Sequence, residues 1–419
     1  MNTIEKTYKL AKEKYLRSGI NTEDAIKKLK NKSISLHCWQ GDDVGGFETS
    51  ASNLSGSGLQ VTGNYPGKAR NPEDLRKDIE KAFSLIPGRH RVNLHAIYGE
   101  FGGKTIDRNE IEPKHFSNWI EWAKRKKLGL DFNGTLFAHP NASSGMTLSS
   151  IDPKIRKFWI EHVKRCRKIA AVMGKETGSP SIHNLWISDG MKDSTVNRGK
   201  YRKLLKESLD EIYRVEYSPK YLKDSVESKL FGIGSESFVT GSHEFYLEYA
   251  AKNNLMLCLD SGHFHPTESI ADKISAVLQF SDEVLLHVSR GIRWDSDHAV
   301  VFNDELREIA LEIVRNNALT RAHVALDYFD ASINRIGAWV LGARATQKAL
   351  LYALLEPSKQ ISTFENNGNY FARLALLEEQ KTMPLGAVWD YFCLINNIPA
   401  DDCLLTDILN YEKTVLSKR

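Results

Sequence analysis

The chain has 419 residues, 41% apolar and 26% charged, and its 57 basic and 53 acidic side chains nearly cancel to a formal charge of +4. That length and composition can bury a large core, and the balanced charge, with no long single-sign run, argues against nucleic acid or a membrane surface as partner. No stretch approaches the ~18 continuous apolar residues of a spanning helix, and the charged start "MNTIEKTYKLAKEKYLRSGI" lacks the apolar centre of an export signal. The five cysteines, Cys38, Cys166, Cys258, Cys393 and Cys403, are odd in number and show no C-x-x-C spacing. Reduced thiols and a cytoplasmic location are expected, with Cys38 and Cys258 acting as small hydrophobes in apolar runs.

In chain order, residues 1–31 form an N-terminal helical segment. Eight short apolar runs follow: "SISLHCW" (33–39), "VNLHAIY" (92–98), "LGLDF" (128–132), "IHNLWI" (182–187), "SVESKLF" (225–231), "LMLCLD" (255–260), "VLLHVS" (284–289) and "AHVALDYF" (322–329). Amphipathic stretches lie between them and after the last, at 71–86, 113–127, 153–174, 200–216, 242–253, 267–281, 303–317 and 333–355. Strands alternating with helices build right-handed βαβ units, and eight such units predict an α/β fold, a (β/α)8 barrel over residues 32–355. An open doubly wound sheet is the other fold this alternation allows. It needs a glycine-rich turn after an early strand, which "GKARNPEDL" does not supply. Residues 356–419 read as a C-terminal helical extension whose apolar faces must cover the barrel or a neighbouring subunit. The polar, glycine-rich loop 41–70 follows strand one on the face where barrel active sites form, and reads as a lid or as plain disorder.

Chemistry-bearing residues gather at the strand ends. Glu227 and Lys229 close strand five, Asp260 and then His263 close strand six, His287 lies in strand seven and Asp327 in strand eight; "RWDSDH" adds Asp295 and Asp297. Singly, each has a plain explanation: a helix cap for Asp260, a satisfied core histidine for His287, a solvated turn for Asp295 and Asp297, a strand pair for Glu227 and Lys229. Together they place five carboxylates and two imidazoles at one barrel mouth. Desolvated charges need partners, and divalent cations supply them. Carboxylates with few imidazoles and no thiolate suit Mn²⁺, Mg²⁺ or Co²⁺ better than structural zinc. Seven ligands exceed the needs of one ion that must also bind substrate, so two sites are expected. His263, Asp295 and Asp297 would surround one, and Glu227, Asp260, His287 and Asp327 the other; His265 would lie outside both.

The fragments "HCWQGDD", "NYPGKARN", "LIPG", "NLHAIY", "VESKLFGIG", "DSGHFHPTE", "LLHVSR", "RWDSDH" and "LDYFDASINR" together resemble bacterial L-rhamnose isomerase, over essentially the whole chain. The resemblance implies a (β/α)8-barrel aldose–ketose isomerase of rhamnose catabolism, homotetrameric, cytoplasmic and dependent on Mn²⁺, with Co²⁺, Mg²⁺ or Zn²⁺ as substitutes. It makes His263, Asp295 and Asp297 the ligands of a catalytic metal, and Glu227, Asp260, His287 and Asp327 those of a structural one. By analogy with xylose isomerases it implies a metal-promoted 1,2-hydride shift on the opened sugar, with a cis-enediol route as the alternative.

Within that chemistry Lys229 would hydrogen-bond O1 as negative charge develops there, unless it serves only as an ion pair with Glu227 or Asp260. A water near Asp295 or Asp297 would carry the O2 proton to O1. His95, at the end of strand two, would help open the pyranose ring or would be a core histidine. Trp186 and Phe329 would bind the methyl group of a 6-deoxy sugar or belong to the barrel core. Two other classes fit less well: a phosphodiesterase-like metallohydrolase would want a basic face, and a sugar-binding protein has no use for two metals or Lys229.

Overall fold

The computed structural model describes residues 2–48, 63–230, 236–292, 295–400 and 403–419. Its strands are β1 (Ser33–His37), β2 (Arg89–His95), β3 (Gly129–Asn133), β4 (Ser181–Trp186), β5 (Gly190–Met191), β6 (Leu222–Glu227), β7 (Phe238–Val239), β8 (Met256–Asp260), β9 (Val284–Val288) and β10 (Ala322–Leu326). Eight of them close into a parallel barrel in the order β1, β2, β3, β4, β6, β8, β9, β10, with β10 paired back to β1. The predicted barrel is therefore present. The antiparallel ribbon of β5 and β7 is an addition that periodicity does not reveal, because two residues per strand carry no pattern.

Alternation along each strand sorts side chains between two cores. In β2, Val92 and Leu94 are fully buried against the helical layer, while Arg91 and Asn93 line a cavity in the barrel floor with Ser35 and Asp131. Arg91 holds Asp131 through a 2.7 Å ion pair, and Ser35 donates to the same carboxylate at 2.6 Å. Opposite this polar side, Ile182, Met256, Cys258, Leu285 and Ala325 form a small apolar cluster separate from the main core.

Two strands are displaced from expectation by three residues or more at both ends: β2 is Arg89–His95, not 92–98, and the fifth barrel strand is the other. The fifth barrel strand is Leu222–Glu227, not 225–231. Two charged residues disguise its beginning: Lys223 pairs with Glu283, and Asp224 meets Arg167 of helix Pro153–Thr177 at 2.8 Å. Lys229 thus lies beyond the strand.

Helices begin where the sequence supplies caps. Asn71 accepts from the Asp74 amide, with Pro72 opening helix Pro72–Phe83. Helix Arg335–Leu354 is buried on nearly all sides, and Trp339 donates to the His37 carbonyl at 2.8 Å, sealing the seam where β10 returns to β1. The N-terminal helix Thr3–Arg17 stacks Tyr8 on Tyr391 of helix Leu385–Ile395, ring centroids 3.8 Å apart. The chain's last residue, Arg419, pairs with Asp78 at 2.6 Å, so the C-terminal extension is docked on the barrel.

Of the loop 41–70, residues 49–62 lie outside the described residues, and the expected lid falls largely on them. Its stems are anchored: Asp43 to Arg335 at 2.7 Å, Glu48 to Arg108 at 2.9 Å, and the Tyr65 amide to the Ala331 carbonyl at 2.8 Å.

Candidate metal centre and active site

Four consecutive barrel strands deliver one ligand group. Register pairs Asp260 directly with His287, and the Glu227 position with Cys258; Asp327 is the first residue past β10. One ligand atom each from Glu227, Asp260, His287 and Asp327 lies within 4.8 Å of all the others. His287 Nδ1 stands 3.0 Å from Asp327 Oδ2, 3.2 Å from Glu227 Oε2 and 3.8 Å from Asp260 Oδ2.

The environment suits a cation. His287 is 2% exposed, yet neither ring nitrogen has a well-directed hydrogen-bond partner. A buried imidazole aimed at three carboxylates without such a bond has the arrangement of a ligand shell rather than of a hydrogen-bonded core. The protonation balance agrees. Burial disfavours charge on every group here, so the metal-free site keeps protons to offset its carboxylates. His263 is pushed up to about 10 against burial, by Asp260, Asp295 and Glu227. Asp260 is pushed up to about 7 by burial and by the carboxylates of Glu227 and Asp327, against His263. Asp297 is driven well above the usual carboxylate range by burial and by Asp295. These are the protons a divalent ion would displace.

The second expected trio lies beside the ring, but its ligand atoms do not gather within 4.8 Å of one another as the ring's do. His263 bridges the two, its Nδ1 2.9 Å from Glu227 Oε1 and its Nε2 3.5 Å from Asp295 Oδ2. Asp297 lines the same cleft, its backbone in the left-handed region at φ 47°. Lys229 forms a 2.8 Å ion pair with Asp295, so its partner is neither Glu227 nor Asp260. Its ammonium also lies 5.0 Å from the Trp186 ring centroid. Gly262 is required at the hairpin between Asp260 and His263: a Cβ there would stand 2.7 Å from both Asp295 Oδ1 and Ser289 Oγ. His265 turns away to Thr267 at 2.7 Å.

The cleft encloses about 570 Å³ including its open mouth, and Trp186, Phe329, His95, Lys229 and Asp297 all line it. Burial lowers His95 to about 4, leaving a neutral ring whose Nδ1 meets Thr135 Oγ1 at 3.1 Å.

Three contributors are missing from the expected set. Trp39 donates to Asp327 Oδ1 at 3.0 Å and packs edge-on to His95. The Asn184 amide donates to Glu227 Oε2. Two-residue spacing back from Trp186 was the available signal for Asn184, whereas Trp39 had none beyond lying just past strand one. Cys258, which the apolar run makes a plain hydrophobe, is the third: its sulfur groups with Glu227 and His287 within the same 4.8 Å limit, so sulfur is not absent from the neighbourhood.

A closed parallel barrel with a cation-compatible ring of carboxylates and imidazoles at its strand ends defines the class: a (β/α)8-barrel enzyme with a candidate divalent-metal centre. The family model for L-rhamnose isomerase (RhaA) matches residues 2–419. An L-rhamnose isomerase of Bacteroides thetaiotaomicron is 56% identical over 416 residues, 99% of each chain. Others from Rhodopirellula baltica, 54% identical over 99% of this chain and 97% of the relative, and Mannheimia succiniciproducens, 55% identical over 100% of both, agree. The chain belongs to the L-rhamnose isomerase family and is an enzyme.

Proposed function

We propose that this protein interconverts L-rhamnose and L-rhamnulose in rhamnose catabolism, holding two divalent cations per subunit, Mn²⁺ foremost, and moving hydrogen by a 1,2-hydride shift on the opened sugar. The observation that carries the reading is the ring Glu227, Asp260, His287 and Asp327 opening, through His263, onto a cleft that also holds Lys229 and Asp297. Ring ligands would hold one ion and His263, Asp295 and Asp297 the other. When bound, such an ion supplies Lewis-acid polarisation of the sugar carbonyl.

The chain's own groups supply the rest. Neutral His95, its Nδ1 engaged by Thr135, would use Nε2 to move a proton between the O1 hydroxyl and the ring oxygen as the pyranose opens. Lys229, oriented by Asp295, donates to O1 while that oxygen gains negative charge. Asp297 borders the path by which the O2 proton passes to O1. Trp186 and Phe329 exclude water around the C6 methyl. Exposed Tyr370, Phe371 and Leu374 on helix Tyr370–Lys381 support the C-terminal extension as a subunit contact in a homotetramer. Four buried cysteines, none in a disulfide, are in keeping with a cytoplasmic enzyme. No helix among the described residues is long and apolar enough to cross a membrane.

The test uses L-rhamnose carrying deuterium at C2, with chelated enzyme restored by Mn²⁺, Co²⁺, Mg²⁺ or Zn²⁺ singly. Deuterium retained at C1 of the ketose is expected. Its complete loss to solvent would replace the hydride shift by the enediol route, and no ketose with any ion would overturn the substrate.

A further inference from the structure

We propose that Cys258, Glu227 and His287 form a second, softer cation site one layer deeper in the barrel than the ring, taking thiophilic divalent ions such as Zn²⁺ or Cd²⁺. The inference rests on the reading of the ring as a cation site and adds to it an alternative position that shares two of its ligands.

The geometry follows from strand alternation. Cys258 precedes Asp260 by two residues in β8, so both side chains face the barrel interior, separated by about two strand rises, or roughly 6–7 Å, along the strand. Cys258 is the register partner of Glu227, and its sulfur, a Glu227 oxygen and a His287 nitrogen lie within 4.8 Å of one another. His287 has two buried nitrogens without directed hydrogen bonds, which makes it available to either position. Cys258 shares an apolar cluster with Met256, Leu285, Ile182 and Ala325. An ion held there therefore meets one sulfur, one carboxylate and one imidazole beside an apolar cluster, where the ring offers three carboxylates and one imidazole. Softness then divides the ions: oxygen-preferring Mn²⁺ or Mg²⁺ stays at the ring, and thiophilic ions move down, the thiol proton leaving to solvent as the sulfur binds. Because Glu227 and His287 are shared, the two occupancies exclude each other, and soft ions would act as competitive inhibitors of Mn²⁺ loading.

The experiment titrates the metal-stripped full chain with Cd²⁺, following the ultraviolet thiolate-to-cadmium charge-transfer band, and with Mn²⁺, followed by electron paramagnetic resonance. Wild type is compared with Cys258→Ala, Cys258→Ser and, because Cys403 is exposed, Cys403→Ser. The expected result is a band of stoichiometric amplitude in wild type and Cys403→Ser that is missing from both Cys258 variants. Their Cd²⁺ affinity falls roughly tenfold or more, while Mn²⁺ affinity moves by no more than about threefold. Retained Mn²⁺ binding shows that a variant is folded, and two substitutions guard against either one failing to fold. A band that persists in Cys258→Ala, or no band in wild type that binds Mn²⁺, overturns the soft site alone. A Cys258-dependent band in a protein that binds no Mn²⁺ supports the soft site and overturns the ring.

Discussion

Asp260→Asn separates a cation ligand from a structural carboxylate. Asp260 Oδ1 accepts from the Gly262 amide at 2.6 Å and from Ser289 Oγ at 3.1 Å, bonds that an asparagine oxygen can keep. The other oxygen faces His287 and His263 at 3.8 and 3.9 Å, and it is this one that becomes an amide. In the metal-free protein the change removes a liability. A carboxyl raised to about 7 holds its proton more tightly than the unfolded chain does. Its contribution to stability is therefore lost as pH rises from the ordinary carboxylate range through about 7. At pH 8 wild type bears that penalty in full and the variant does not, so metal-free Asp260→Asn should melt no lower than wild type. With Mn²⁺ the order reverses. Losing a charged ligand weakens binding by about 100-fold, or ~2.7 kcal/mol of linked stability at saturating ion. An unfolding entropy of about 2.1 cal/mol/K per residue gives this 419-residue chain ~0.9 kcal/mol per degree near its midpoint. The Mn²⁺-induced rise in Tm should thus be about 3 °C smaller in the variant, measurable by scanning calorimetry with Mn²⁺ and with chelator. An equal rise in both proteins would refute the assignment of Asp260 as a ligand.

Lys229→Met should leave Mn²⁺ binding nearly intact and lower kcat by roughly 10²–10³-fold; turnover within a few-fold of wild type would reduce Lys229 to an ion-pair partner of Asp295. Mn²⁺ binding should release protons and strengthen as pH rises from 6 to 9, by at most about tenfold per unit for each proton displaced. The sign follows from His263, raised to about 10, whose proton competes with the ion; an indicator dye showing no proton release on loading would contradict it. Gly262→Ala should cost roughly 10–100-fold in Mn²⁺ affinity, because the added Cβ presses on Asp295 and Ser289; unchanged affinity would mean the hairpin yields freely. Phe329→Ser should narrow the preference for a 6-deoxy over a 6-hydroxy sugar by about tenfold, the scale of one methyl in an apolar pocket, as read from kcat/KM on L-rhamnose and L-mannose.

The barrel was legible because strand and helix periods alternate cleanly, and the ring because its members close consecutive strands. The charged start of β6 hides the strand from a local pattern, since Lys223 and Asp224 find their partners in distant Glu283 and Arg167. Residues that act by contact between neighbouring strands far apart in sequence are not visible either. Trp39 reaches Asp327 from the far side of the β1–β10 seam, and Thr135 meets His95 across 40 positions. Cys258 is the converse case: its run shows its apolar surroundings, but its nearness to Glu227 follows only from the register of β6 against β8.

The four ring ligands come from β6, β8, β9 and β10, and none from β1 to β4. Apart from Phe329, the aromatic wall of the cleft belongs to the other half: Trp39 after β1, Phe137 after β3, Trp186 closing β4. On the proposed reading the barrel has a chemical half and a recognition half, joined at the mouth by Asn184 donating to Glu227, by Trp39 donating to Asp327, and by Trp186 lying against Lys229 and His263. Changes of sugar would then be able to accumulate on much of the first four strands without touching an ion ligand. At those contacts a substitution that alters what is recognised also alters how the ion is held, so a drifting lineage would be expected to change the rest of the recognition wall more freely and to leave Asn184, Trp39 and Trp186 for last.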